Sequence, residues 1–128
     1  MSQVLEKQGT LEKKSMSKPD EVRPFADGKG KLSVFNVGDH TIGQAEFEPG
    51  WRWSQHVKPI AGTDSCQAAH TGVILAGCMH IKMDDGSEMD YAEGDVFYMP
   101  PGHDAWIVGD QTCKVLDFTG VAKYAKPH

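Results

Sequence analysis

Four residues combine types and spacing that suit metal chemistry: His56, Cys66, His70 and His103. Neutral imidazole nitrogen and thiolate sulfur are the donors preferred by zinc and other late first-row divalent ions. Cys66 and His70 form a Cys-x3-His pair, and His56 and His70 bracket the long stretch Val57–Ala69 (VKPIAGTDSCQAA). His103 follows a Pro-Pro-Gly turn. Spacing alone leaves two readings open, a metal site or four unliganded histidine and cysteine side chains. No Cys-x2-Cys pair, His-Glu-x2-His helix or glycine-rich phosphate loop is present. His40 lies in a turn, His80 alternates away from the apolar side of its strand, and His128 is the last residue, so these three read as structural or solvent-facing.

The elements that must position those four residues read as strands. Met79, Ile81 and Met83 alternate with His80 and Lys82, the period of a half-buried strand, and Asp84-Asp85-Gly86 then makes a hairpin turn. The same reasoning predicts strands over 31–37, 41–48, 51–57, 70–75, 79–83, 88–91, 95–99, 105–108 and 114–118. Gly and Pro together make up 21 of the 128 residues and punctuate these runs. The pattern predicts an all-β antiparallel sandwich or small barrel. Residues 1–21 are polar, with only Val4, Leu5 and Leu11 at helical spacing, and read as a flexible arm. The barrel is expected over 22–122, with a tail at 123–128.

Composition narrows the function classes. Apolar types make up 39% and charged types 24%, an ordinary globular balance. The net charge of −5 argues against a nucleic-acid partner, where phosphate must be neutralised. No apolar run reaches the length of a membrane span, and no secretory signal opens the chain. Three cysteines, an odd number, read as reduced thiols, so a cytoplasmic protein is expected. Cys78 and Cys113 fall in strands and read as small hydrophobes.

Two motifs carry a family resemblance. Gly50-x5-His56, continued by His70-x6-Gly77, resembles the first motif of the cupin superfamily, and Gly94-x5-Pro100-x-Gly102 resembles the second. In finer detail the chain is similar to small bacterial single-domain cupins, through PGWRWSQHVKPIAGTDSC, HTGVILAG, MDDG, GDVFYMPPGHDAW and VLDFTGVAKYA. The resemblance implies a cupin double-stranded β-helix, a jelly-roll-like small barrel, and names a fold better than a reaction. It departs from the usual metal set of three His and one Glu. Lys58 stands at the second His position, His70 at the Glu position and Ala105 at the third His position. His103 lies two residues before Ala105, and residues two apart in a strand share a face.

With the fold granted, the expected site is a divalent metal at the barrel mouth, held by His56, Cys66, His70 and His103. Zinc leads because a thiolate favours it; iron, manganese, nickel and copper stay open. The alternative is an apolar pocket without metal. Trp53, Tyr98 and Trp106 are expected in the pocket wall. The resemblance implies a homodimer. The implied role is a sensor or ligand-binding protein for an unidentified small molecule, with no catalytic residue assigned. The competing reading is a metal-dependent cupin enzyme of the dioxygenase, isomerase or decarboxylase type.

Overall fold

Short runs of inward apolar residues, each stopped by a Gly- or Pro-containing turn, dictate many strands and little helix. The computed structural model describes residues 9–122. Its strands are β1 (Glu21–Pro24), β2 (Gly30–Val37), β3 (His40–Phe47), β4 (His70–Ala76), β5 (Cys78–Met83), β6 (Glu88–Ala92), β7 (Val96–Met99), β8 (His103–Ile107) and β9 (Cys113–Asp117). They form a six-stranded sheet in the order β1-β2-β3-β9-β4-β7 and a three-stranded sheet in the order β6-β5-β8. Every pairing is antiparallel. The inner faces of the two sheets enclose one core containing Leu32, Phe47, Ile74, Met79, Phe97 and Val115. This is the double-stranded β-helix that the strand pattern and the resemblance imply. No helix among the described residues is long and apolar enough to cross a membrane.

Parity places the chemistry. In β4, His70, Gly72 and Ile74 are buried while Thr71 and Leu75 are exposed. In β8, His103, Ala105 and Ile107 are buried. In β9, Cys113, Val115 and Asp117 are buried. β4 lies between β7 and β9, in register His70↔Met99 and Gly72↔Asp117. His70 and Asp117 therefore enter the barrel side by side from neighbouring strands.

One predicted strand is instead helical. Arg52 is extended and bridges Trp106 of β8, but the chain then turns into α1 (Trp53–His56) and α2 (Lys58–Ala61). Trp53, Val57 and Ala61 are all buried, so the apolar period here is four and not two. Asp104 accepts a hydrogen bond from the Ser54 amide at 3.1 Å and satisfies one of the orphan donors at the start of α1. Pro59 sits in the first turn of α2, and Gly62 (φ 79°) closes it in the left-handed conformation. β1 was not predicted, since Glu-Val-Arg-Pro offers a single inward side chain, Arg23, whose guanidinium bonds the Val121 carbonyl. Residues 1–8 of the expected arm and the tail 123–128 lie outside the described residues. Within 9–20, the arm is tied by the Lys14–Asp20 ion pair at 2.7 Å and by the Gly38 amide donating to Glu12 at 3.1 Å.

Candidate functional site

Cys66, His70 and His103 converge. One donor atom from each lies within 4.8 Å of the other two, and all three residues are buried. Each arrives by a different route. His70 is the first residue of β4 and His103 the first of β8. Cys66 lies on the connection after α2, stitched to the start of β8 by main-chain bonds. Its amide donates to the His103 carbonyl at 2.8 Å, and its carbonyl accepts from the Gly102 amide at 2.7 Å and the His103 amide at 3.3 Å. The neighbouring Ser65 hydroxyl donates to Asp84 at 2.8 Å. Cys66 Sγ is thereby held 3.7 Å from His70 Nε2.

Both imidazoles are anchored through Nδ1. His103 Nδ1 lies 2.7 Å from the Pro100 carbonyl oxygen. A carbonyl can only accept, so Nδ1 donates and Nε2 is the ring atom left to serve as a ligand. His70 Nδ1 donates to Asp117 Oδ2 at 2.5 Å, leaving its Nε2 turned to the thiol. Asp117 Oδ1 also accepts from the Thr119 and Gly120 amides at 3.0 Å. Gly120 backs the His70 ring so closely that a Cβ there would meet Nδ1 at 2.2 Å. Only glycine permits that approach.

The charges follow from these contacts. Burial alone would raise the Cys66 thiol, but the hydrogen bonds and charges of His103 and His70 outweigh it and bring the pKa down to about 6. Burial alone would depress His70, but Asp117 and Cys66 raise it to about 9. Burial would also lift Asp117, yet its bond to His70 and the two amides keep it below the usual carboxylate value. The other two thiols move the opposite way, each raised first by burial, Cys113 to about 12. Metal-free protein is therefore expected to gain one thiolate, seen in absorbance near 240 nm, as pH rises through about 6. Cys66→Ser should abolish that step, and its persistence in the variant would refute the assignment.

The donor set fits a divalent ion. Zinc–sulfur and zinc–nitrogen bonds of about 2.3 and 2.0 Å at a tetrahedral angle put S and N about 3.5 Å apart. The Cys66–His70 separation of 3.7 Å is close to that span. Histidine ligands usually donate their other ring N–H to a carboxylate or carbonyl, as His70 and His103 do here.

Of the other expected site residues, Trp53 lines the cavity and His56, Tyr98 and Trp106 do not. His56 ends α1, where its Nδ1 accepts from the Arg52 amide at 2.9 Å and its Nε2 is 3.8 Å from Asp27. It is outside the three-residue cluster because the helix carries its ring back along the chain. Trp53 lines the barrel cavity, together with His70, His103 and Asp117. Tyr98 and Trp106 do not. Strand alternation puts Met99 inward and Tyr98 outward, 61% exposed. Trp106 alternates outward in β8, where Arg52 lies 4.3 Å over its ring and the His80 ring packs against it at 4.8 Å, tilted by 35°. His80 itself is held above its ordinary pKa by hydrogen bonds to Glu88 and Asp90. Sequence reasoning missed Asp117. The available signal was its parity, since an acid stands where Cys113 and Val115 predict an apolar inward residue.

Comparison with known proteins agrees with this architecture. A family model for the EutQ-like cupin domain matches residues 55–124. No curated protein sequence matches. A protein of unknown function from Rhizobium leguminosarum is similar in structure, with a TM-score of 0.61 and 18% identity over 94% of this chain and 100% of that one. A sugar phosphate isomerase from a cupin superfamily of Silicibacter pomeroyi gives 0.60 and 15% over 84% and 74%. An RmlC-like cupin family protein with a double-stranded β-helix fold, from Methanocaldococcus jannaschii, gives 0.55 and 14% over 88% and 93%. At these identities the likeness is one of fold. With more than half its length matched by the family model and a two-sheet barrel shared with these structures, the chain belongs to the EutQ-like cupin domain family.

Proposed function

We propose that this protein is a small-molecule-binding cupin whose barrel holds a divalent metal, zinc first, through Cys66, His70 and His103. The observation that carries the reading is the convergence of these three donors, with both imidazoles oriented by hydrogen bonds at Nδ1. A thiolate in the set favours zinc over calcium or magnesium. Bound there, the ion supplies a Lewis-acidic position. The chain's own residues do the rest: Asp117 fixes the tautomer of His70, Pro100 fixes that of His103, and Phe47, Met79 and Phe97 keep the adjoining cavity apolar. A sensor or ligand-binding role suits that cavity.

Elemental analysis and cobalt substitution test the reading. One metal per chain is expected. Cobalt-loaded protein should show a sulfur-to-cobalt charge-transfer band in the near ultraviolet that Cys66→Ser removes. A folded protein that takes up neither ion overturns it. The three-residue count supports a second reading, an enzyme, because catalytic zinc sites hold three protein ligands and keep one position open. The set has no carboxylate donor, since Asp117 is engaged by His70, and so does not match the facial triad of iron oxygenases. Isomerase or decarboxylase chemistry suits it better, and turnover of a candidate substrate by metal-loaded but not metal-free protein would establish it.

A further inference from the structure

Cys66 meets β8 through one isolated bridge, to His103. A bridge one residue long holds the main chain at that point, but the roll of the segment about its own axis decides where each side chain points. Successive side chains of an extended segment point to opposite sides. Cys66 Sγ is turned towards His70, and its neighbour Ser65 reaches the other way, out to the turn between β5 and β6.

Ser65 is gripped there. It is buried, at 6% exposure. Its hydroxyl donates to Asp84 Oδ2 at 2.8 Å and accepts from Gln67 Nε2 at 3.0 Å. Its carbonyl accepts from Thr63 Oγ1 at 2.8 Å and from Gln67 Nε2 at 3.2 Å. Thr63 and Gln67 belong to the same connection and move with it. Of the three partners only Asp84 ties the connection to another element. Asp84 is the first residue of the β5–β6 turn and is exposed, and its amide donates to the Gly102 carbonyl at 2.9 Å. Gly102 leaves room for the carboxylate, because a Cβ there would come within 3.0 Å of the same Oδ2. The hairpin, the Gly102 turn and the Cys66 connection therefore meet at one carboxylate.

We infer that Asp84 is a positioning residue for the metal centre: through Ser65 it fixes the roll of the 65–67 segment, and with it the reach of Cys66 Sγ towards His70 and His103. This deepens the metal reading proposed above and rests on it. Asp84 touches neither ion nor ligand atom and acts only through Ser65. A hydrogen bond to a charged group changes an equilibrium by about tenfold or more, and loss of outer support typically weakens metal binding about 10- to 100-fold.

The test loads the full chain with cobalt in competition with a chelator and records the sulfur-to-cobalt charge-transfer band. Ser65→Ala and Asp84→Ala should each weaken cobalt binding about tenfold and reduce or shift the band. The double variant should do no worse than either single one, because all three break the same bond. Ser65→Thr keeps the hydroxyl and should restore the wild-type band. Ser87→Ala is the control: it removes the Ser87 hydroxyl bond to Asp85 in the same turn without touching Ser65, and should leave band and affinity unchanged. Two results overturn the inference: wild-type cobalt binding in both Ser65→Ala and Asp84→Ala, or an equal loss in Ser87→Ala. If Ser65→Ala does not fold, the exposed Asp84→Ala decides. A second measurement needs no metal. The nuclear Overhauser contact between the Cys66 β-protons and the His70 ring should be present in wild type and Ser87→Ala and lost in Asp84→Ala. Wild-type protein that binds cobalt beside indifferent variants sinks only this inference. Wild-type protein that binds none sinks the metal centre, and the Overhauser contact then decides the positioning role alone: its loss in Asp84→Ala supports the role and its survival there refutes it.

Discussion

His70→Ala protein is expected to emerge from purification with metal at background level, while His56→Ala retains the wild-type content. The contrast follows from where the two rings lie. His70 Nε2 faces Cys66 Sγ at 3.7 Å inside the barrel. His56 hydrogen-bonds the Arg52 amide of its own helical turn. Losing one of three donors should weaken binding by more than the roughly 10- to 100-fold that accompanies loss of an outer hydrogen-bonding partner. Asp117→Asn, which removes the charge behind His70 but keeps the shape, should fall within that 10- to 100-fold range. Inductively coupled plasma mass spectrometry after dialysis against a competing chelator measures all three variants. Equal metal loss in His56→Ala and His70→Ala, with both folded, would exclude the proposed ligand set.

Gly72→Ala is expected to be among the most damaging single-methyl changes in the barrel. A Cβ at Gly72 would sit 1.9 Å from the Leu116 carbonyl oxygen and 3.0 Å from its carbon. Both atoms are main chain, so no side-chain rotation relieves the overlap and β4 must move from β9. Overpacking of a well-ordered core costs about 1–3 kcal/mol, and a backbone clash belongs at the upper end. The melting temperature should fall by about 10 °C on a scale of a few degrees per kcal/mol. Gly72 pairs with Asp117, so the same displacement pulls the carboxylate from His70 and should lower metal affinity. Val73→Ala, one residue along and half-buried on the outer face, is the control and should shift the melting temperature far less. Thermal melts with parallel metal analysis check both effects.

Much of the fold was legible because alternation and turn chemistry act locally. Met79, Ile81 and Met83 alternate inward as a strand should, and Asp84-Asp85-Gly86 supplies the hairpin. The strand expected over 51–57 gives way to helix from Trp53, because Trp51, Trp53 and Gln55 mimic a period of two while the deciding period of four runs on through Val57 to Ala61. That mimicry moved His56 into the expected site, since the first cupin motif presumes a strand at that position. Cys66 and His70 were legible from their spacing, and His103 from parity, because it shares the inward face of β8 with Ala105. Asp117 was not singled out. Its role depends on β9 pairing with β4, a contact between residues 47 positions apart in sequence, and nothing local marks it except an acid at an inward position. Tyr98 and Trp106 were chosen as aromatics near the motifs, and alternation puts both outside.

Cys66 is the one donor carried on a connection instead of a strand, yet its backbone is pinned to the first residues of β8 as firmly as a sheet partner. The conformational entropy of ordering that segment is therefore lost when the barrel folds, not when an ion arrives. A preorganised clamp of this kind discriminates by size and donor softness, because it cannot reshape itself around a guest. Ion exchange should then be governed by the chemistry of sulfur and nitrogen, with the surrounding chain acting as a fixed frame.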